Sequence, residues 1–164
     1  MCIRDRARTA LIEGDATTAE HLFRQVLAQQ ADHGDAGTGL AALLIDRGDT
    51  DEALTVLGKL VPDGEVERLQ SAARLRATAG GDIGALEDAL AADPDSEMAR
   101  IELAKALAAR AEYEPALDHL LTVVRAKGPA KEEARKAMVD VFGVLGDHHP
   151  LTVTYRRQLA SALY

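Results

Sequence analysis

Residues 14–26 read GDATTAEHLFRQV and residues 48–60 read GDTDEALTVLGKL. In both, a Gly-Asp pair is followed by alanine at the fifth position after the glycine (Ala19, Ala53). A large apolar residue comes at the ninth position (Phe23, Leu57) and another at the twelfth (Val26, Leu60). Steps of four and three place these side chains on one face of a helix. The two glycines are 34 residues apart. The pattern continues from Gly80 to Ala85 and Ala89, from Ala111 to Ala116, Leu120 and Val123, and from Gly146 to Leu151 and Tyr155. Each glycine, or the alanine in its place, separates two amphipathic segments: a residue tolerating positive φ ends one helix and Asp or Thr opens the next.

Every unit therefore reads as a helical hairpin. In the second, Leu40, Ala41 and Leu44 form the inner stripe of the first helix, and Ala53, Leu57 and Leu60 that of the second. In the fourth the same roles fall to Leu103, Ala104 and Leu107, then Ala116, Leu120 and Val123. A period near 34 residues with a small residue, a four-residue step and a large apolar residue resembles the tetratricopeptide repeat, although the Trp and Tyr of its first helix are absent. The expected fold class is all-α: a tetratricopeptide-like helical-hairpin solenoid of about five hairpins, in which neighbours share one core. An irregular helical bundle is the alternative.

Composition agrees with helix. Aromatic residues make up 3% of the chain and Trp is absent, so Ala and Leu supply the packing. The net charge of -8 repels phosphate backbones and anionic lipid headgroups alike, so neither nucleic acid nor membrane is an expected partner. No apolar run is long enough to span a bilayer and no signal-like segment follows the N-terminus, so the expected location is cytoplasmic. Cys2 is the single cysteine, which excludes an intramolecular disulfide, a CxxC motif and a thiolate zinc cage. Met1-Cys2-Ile3-Arg4-Asp5 resembles translated sequencing-adapter fragments, so residues 1–5 are expected to be non-native and residues 6–164 to form a single tetratricopeptide domain.

From Leu90 the text becomes more distinctive: LAADPDSEMARIELAKALAA at 90–109, EPALDHLLTVV at 114–124, and EARKAMVDVFGVLGDHHPLTVTYRRQLASALY at 133–164. These stretches resemble the C-terminal tetratricopeptide half of the thioredoxin-fused co-chaperones of bacteria, the chaperedoxins of CnoX/YbbN type. The resemblance implies a module that binds unfolding client proteins and hands them to the chaperonin, with the C-terminal helix docking. The thioredoxin domain and its CxxC are not in this sequence, so the resemblance transfers no redox activity. The alternative function is a generic tetratricopeptide scaffold that links folded partner proteins.

Carried over by register, the groove-facing positions are Asp35, Thr38, Ala42 and Ile45 in the second unit, and Met98, Ile101, Lys105 and Ala108 in the fourth. Packing between units is the competing role for the same side chains. On the last helix, Tyr155, Leu159, Leu163 and Tyr164 are the expected docking residues, and a simple cap on the array is their other reading. In GDHHP at 146–150, Gly146 ends a helix, Asp147 caps the next, and Pro150 occupies its first turn. His148 and His149 then sit on an exposed corner, where adjacent histidines do not converge on one ion. His21, His33 and His119 are scattered over other units. No nucleophile triad or phosphate loop is present, so catalytic residues, cofactor, metal and small-molecule substrate are all expected to be none.

Overall fold

The computed structural model describes residues 3–78 and 80–164. Met1 and Cys2, part of the adapter-like start, lie outside them, while residues 3–5 belong to the first helix. Ten helices and no strand occur among the described residues. They are α1 (Ile3–Ile12), α2 (Ala16–Gln29), α3 (Gly34–Arg47), α4 (Thr50–Leu57), α5 (Gly64–Thr78), α6 (Ile83–Ala92), α7 (Glu97–Ala109), α8 (Tyr113–Ala126), α9 (Lys131–Leu145) and α10 (Pro150–Leu163). The fold is thus all-α and built of helical hairpins. The chain forms two compact units, Met1–Ala73 and Arg74–Tyr164, with the division inside α5.

Three hairpins share one turn. The N–H of Asp15 donates to the carbonyl of Ala10 at 2.8 Å, that of Asp49 to Leu44 at 2.8 Å and that of Glu112 to Leu107 at 3.0 Å, each reaching five residues back. The residue before each donor has left-handed backbone: Gly14 at φ 79, Gly48 at φ 96 and Ala111 at φ 63. This closes the end of one helix. The carbonyls of Asp15, Asp49 and Glu112 then accept the first bonds of the next helix from Ala19, Ala53 and Ala116. Those alanines are fully buried, so the paired helices approach closely exactly where the spacing placed a small residue.

The third turn corrects the sequence reading. The left-handed residue is Gly81 (φ 110), not Gly80, and the stripe of α6 moves by one. Ala85 and Ala89 are exposed, while Ile83, Leu86 and Leu90 pack against the core of the second unit. Leu86 occupies the place that alanine holds in the other turns. Leu86 is only half-buried there, and no residue of α6 is buried.

The core of unit 1 gathers Ala7, Ala19, Phe23, Leu40, Ala41, Leu44, Ala53 and Leu57, closed by Val66 and Leu69 of α5. α3 carries glycine at 37 and 39 because its neighbours rest on the bare backbone. A Cβ at Gly37 would meet Leu60 at 2.6 Å, and one at Gly39 would meet Phe23 at 2.5 Å. Leu60 lies past the end of α4 and is buried nonetheless. In unit 2, α8 is the central element, packed by α7, α9 and α10, the last of which rests only lightly on its own hairpin partner α9. Leu117, Leu120, Leu121, Val123 and Val124 of α8 are all buried.

Candidate functional site

α7 begins where Ser96 accepts the N–H of Ala99 at 3.3 Å, with Glu97 in its first turn. From Ile101 to Leu107 only Glu102 escapes burial, because α7 has α6, α8 and α9 as neighbours. This decides the groove positions of the fourth unit. Ile101 is 0% exposed and Ala108 is also inside, so both are packing residues rather than contact surface. Carrying register over presumed one open face, and a helix with three neighbours has little of one. Met98, one turn earlier, is 50% exposed. It lines a cavity of about 520 Å3 together with Asp95, Ser96, Glu97, Pro129, Ala130 and Glu133. Glu97 fixes the rim by accepting the N–H of Ala130 at 3.0 Å, which ties the start of α9 to α7.

Lys105 bridges the same two helices. Its Nζ lies 2.6 Å from Glu133 Oε1 of α9 and 3.4 Å from Glu102 Oε1 of its own helix. Burial works against the ammonium, but the Glu133 hydrogen bond and the charges of Glu102 and Glu133 outweigh it and hold the group above the ordinary lysine value.

In unit 1, Asp35 pairs with Arg8 of α1 at 3.5 Å and remains exposed. The Thr38 hydroxyl donates to the carbonyl of Gly34 at 3.1 Å, Ala42 is half-buried at the core rim, and Ile45 is buried within the core. The expected groove residues of this unit are thus spread from surface to interior.

Tyr155 and Leu159 are buried in the core of unit 2. The Tyr155 hydroxyl donates to the Asp118 carboxylate of α8; burial, then that hydrogen bond and the Asp118 charge, raise its pKa. Gln158 accepts from Arg125 at 3.0 Å, a second tie between α10 and α8. Leu163 is half-buried against the same core, and Tyr164 is fully exposed. Of the four, two seal the core and one reaches solvent completely.

The corner at 146–150 needs a second correction. The cap of α10 is His149, whose Nδ1 accepts the N–H of Leu151 at 3.2 Å, while Asp147 pairs with Arg156 at 2.7 Å. The unprotonated imidazole nitrogen accepts as a cap must, and standing directly before Pro150 His149 is two positions nearer to the helix than Asp147. His33 caps α3 in the same way, accepting from Ala36 at 3.4 Å. Gly146 does end α9 and Pro150 does open α10. The sequence reading missed the histidine caps, and the only signal for them was a histidine just before a helix. His119 is half-buried, and burial followed by the Arg100 charge lowers its pKa against the opposing pull of Asp118 and Glu87. Among the described residues no group of three His, Cys, Asp or Glu side chains could hold a metal, and no helix is long and apolar enough to cross a membrane.

Known proteins place this arrangement. No curated protein matches the sequence. Similar solved structures include a domain of protein VP0806, of unknown function, from Vibrio parahaemolyticus, with 24% identity and a TM-score of 0.47 over 99% of this chain and 98% of that one. Another is MamA, with 19% identity and a TM-score of 0.42 over 99% of this chain and 95% of that one. One tetratricopeptide repeat family matches residues 76–164 and a second matches residues 10–77. With the shared hairpin turn and the small residues beneath it, these matches identify the chain as a member of the tetratricopeptide repeat family, whose repeats are scaffolds for protein–protein interaction.

Proposed function

We propose that this chain is the interaction half of a cytoplasmic co-chaperone of chaperedoxin type, holding extended apolar segments of unfolding client proteins and docking to the chaperonin. The observation that carries the reading is Met98. It is a large, flexible apolar side chain, half exposed on the rim of a cavity between α7 and α9, whereas other exposed apolar side chains such as Ile12, Val61 and Val139 do not line that cavity. A thioether on three rotatable bonds adapts to varied side chains, which suits a binder of many sequences. The resemblance of the sequence after Arg6, sharpest near its C-terminal end, to the chaperedoxin C-terminal half suggests the partner class. Tyr164, fully exposed at the C-terminal end of α10, supports a docking role for its tip.

A scaffold joining folded partners is the second reading. It is favoured by the burial of Ile45, Ile101 and Ala108, which leaves the rest of the candidate surface to charged groups such as Asp35, Glu102 and Glu133. Light scattering of a heat-denaturing enzyme separates the two. A client binder suppresses aggregation at stoichiometric concentration, and Met98→Glu removes the suppression while the circular dichroism spectrum stays unchanged. Scattering unaffected by the wild-type chain would overturn the co-chaperone reading in favour of the scaffold. Deleting residues 160–164 is expected to weaken chaperonin capture with helical content preserved; undiminished capture would remove the docking role from the tip.

A further inference from the structure

Unit 1 is open between α2 and α4. Both helices pack on α3 more than on each other, and a cleft of about 320 Å3 remains between them. Its floor is Leu40 of α3, its walls are Leu27, Ala28 and Ala31 on one side and Val56 on the other. One water takes about 30 Å3, so the space is large enough for two sizeable apolar side chains. The ends differ in charge. At one, Arg24 of α2 meets Glu52 of α4 at 2.5 Å and Glu20 at 2.9 Å, so its charge is spent within the unit. At the other, Lys59 stands two residues past the end of α4, and its ammonium meets no carboxylate among the described residues.

We infer that this cleft takes a short segment of a partner protein in which large apolar side chains are followed by an aspartate or glutamate. The apolar groups rest on Leu40 between Leu27 and Val56, and the carboxylate pairs with Lys59. Removing the apolar groups from water drives binding. The lone cation fixes the direction of the segment, since the Arg24–Glu52 pair at the far end offers no free charge of either sign. The occupant is a peptide rather than an acyl chain because the cleft is short. From Glu52 the helix runs only five more residues to Leu57, about 7.5 Å at 1.5 Å per residue, with Lys59 in the turn just beyond, and a long chain would overrun the ion pair that closes it. The site is separate from the Met98 cavity and does not depend on the function proposed for it.

Fluorescence anisotropy tests the assignment with the full chain and two amidated, fluorescein-labelled peptides, one ending leucine-leucine-aspartate and the other leucine-leucine-asparagine. The aspartate peptide is expected to bind about fivefold tighter, the weight of one partly exposed ion pair. Lys59→Gln is expected to erase that preference without changing the asparagine peptide's affinity. Ala28→Trp, which fills the cleft from an exposed position, is expected to abolish binding of both with the circular dichroism spectrum intact. Equal affinities for the two peptides, binding of neither, or binding indifferent to Ala28→Trp would each overturn the inference. Capture of decanoate with neither peptide bound would make the cleft a lipid site and overturn it as well.

Discussion

Arg24 in the first unit and Lys105 in the second are held in the same way to different effect. Each cation meets one carboxylate of its own helix, Glu20 or Glu102, and a second that comes 28 residues later on another helix, Glu52 or Glu133. Arg24 lies on the surface, its side chain 42% exposed, whereas that of Lys105 is 11% exposed. A solvated pair trades water for carboxylate at little net gain, while a charge withdrawn from water depends on the partners it keeps. The chain therefore uses one arrangement as a surface fastening in unit 1 and as part of the interior of unit 2.

The largest effects should ignore this contrast and follow the apolar cores. Phe23→Ala in unit 1 and Leu107→Ala in unit 2 are each expected to cost roughly 2 to 5 kcal/mol in chemical denaturation, since both side chains are buried. A loss below about 0.5 kcal/mol, the behaviour of an exposed site, would remove that residue from its core.

The two cations should part company next. Glu133→Gln is expected to cost about 1 to 2 kcal/mol, less than a fully buried pair because Glu133 itself is partly solvated, and Glu52→Gln less than about 0.5 kcal/mol. Equal costs would erase the comparison. The pH dependences should be opposite. Lys105 is held above its ordinary value, so its contribution is complete below the value of the unfolded chain and disappears as pH rises through the folded one. The Arg24 hydrogen bond holds the Glu52 carboxyl below the ordinary range, so that contribution is present above the unfolded value and disappears as pH falls through the lowered one. Urea titrations should show the Glu133→Gln deficit narrowing in alkali and the Glu52→Gln deficit narrowing in acid.

The shared turn offers a comparison between units at the level of about 1 kcal/mol. Ala111 adopts the left-handed conformation that Gly48 provides in unit 1, at a cost that a side chain bears and glycine does not. Ala111→Gly is expected to stabilise by about 1 kcal/mol and Gly48→Ala to destabilise by a similar amount; thermal shifts of the same sign would show that the turns are not equivalent. The smallest effect concerns the cap of α10. His149→Ala should cost about 0.5 to 1 kcal/mol and Asp147→Ala less, since it removes only an exposed pair with Arg156. The reverse order would restore the cap to Asp147.

Much of the hairpin architecture was legible because its determinants are local. A left-handed turn residue, an alanine five places on and a leucine or phenylalanine four beyond that appear in order along the chain, and three turns obey them bond for bond. The third turn was misread by one residue because Gly80 and Gly81 are chemically equal in a sequence, and only the backbone distinguishes which of them turns. The candidate contact surface was less legible. Ile101 and Ala108 carry no mark that separates a side chain facing a partner from one facing the next helix.

Composition and spacing by themselves thus determined that this chain is all-α, that its helices come as tetratricopeptide hairpins, and where the small residues under each turn fall. These depend on interactions within a few residues and one helical period. Tertiary structure alone decided that Lys105 is an interior cation, that α10 packs more on α8 than on α9, and that a cleft stays open between α2 and α4. Each of those depends on groups brought together from distant parts of the chain, and burial is a property of neighbours that no single helix carries in its own sequence.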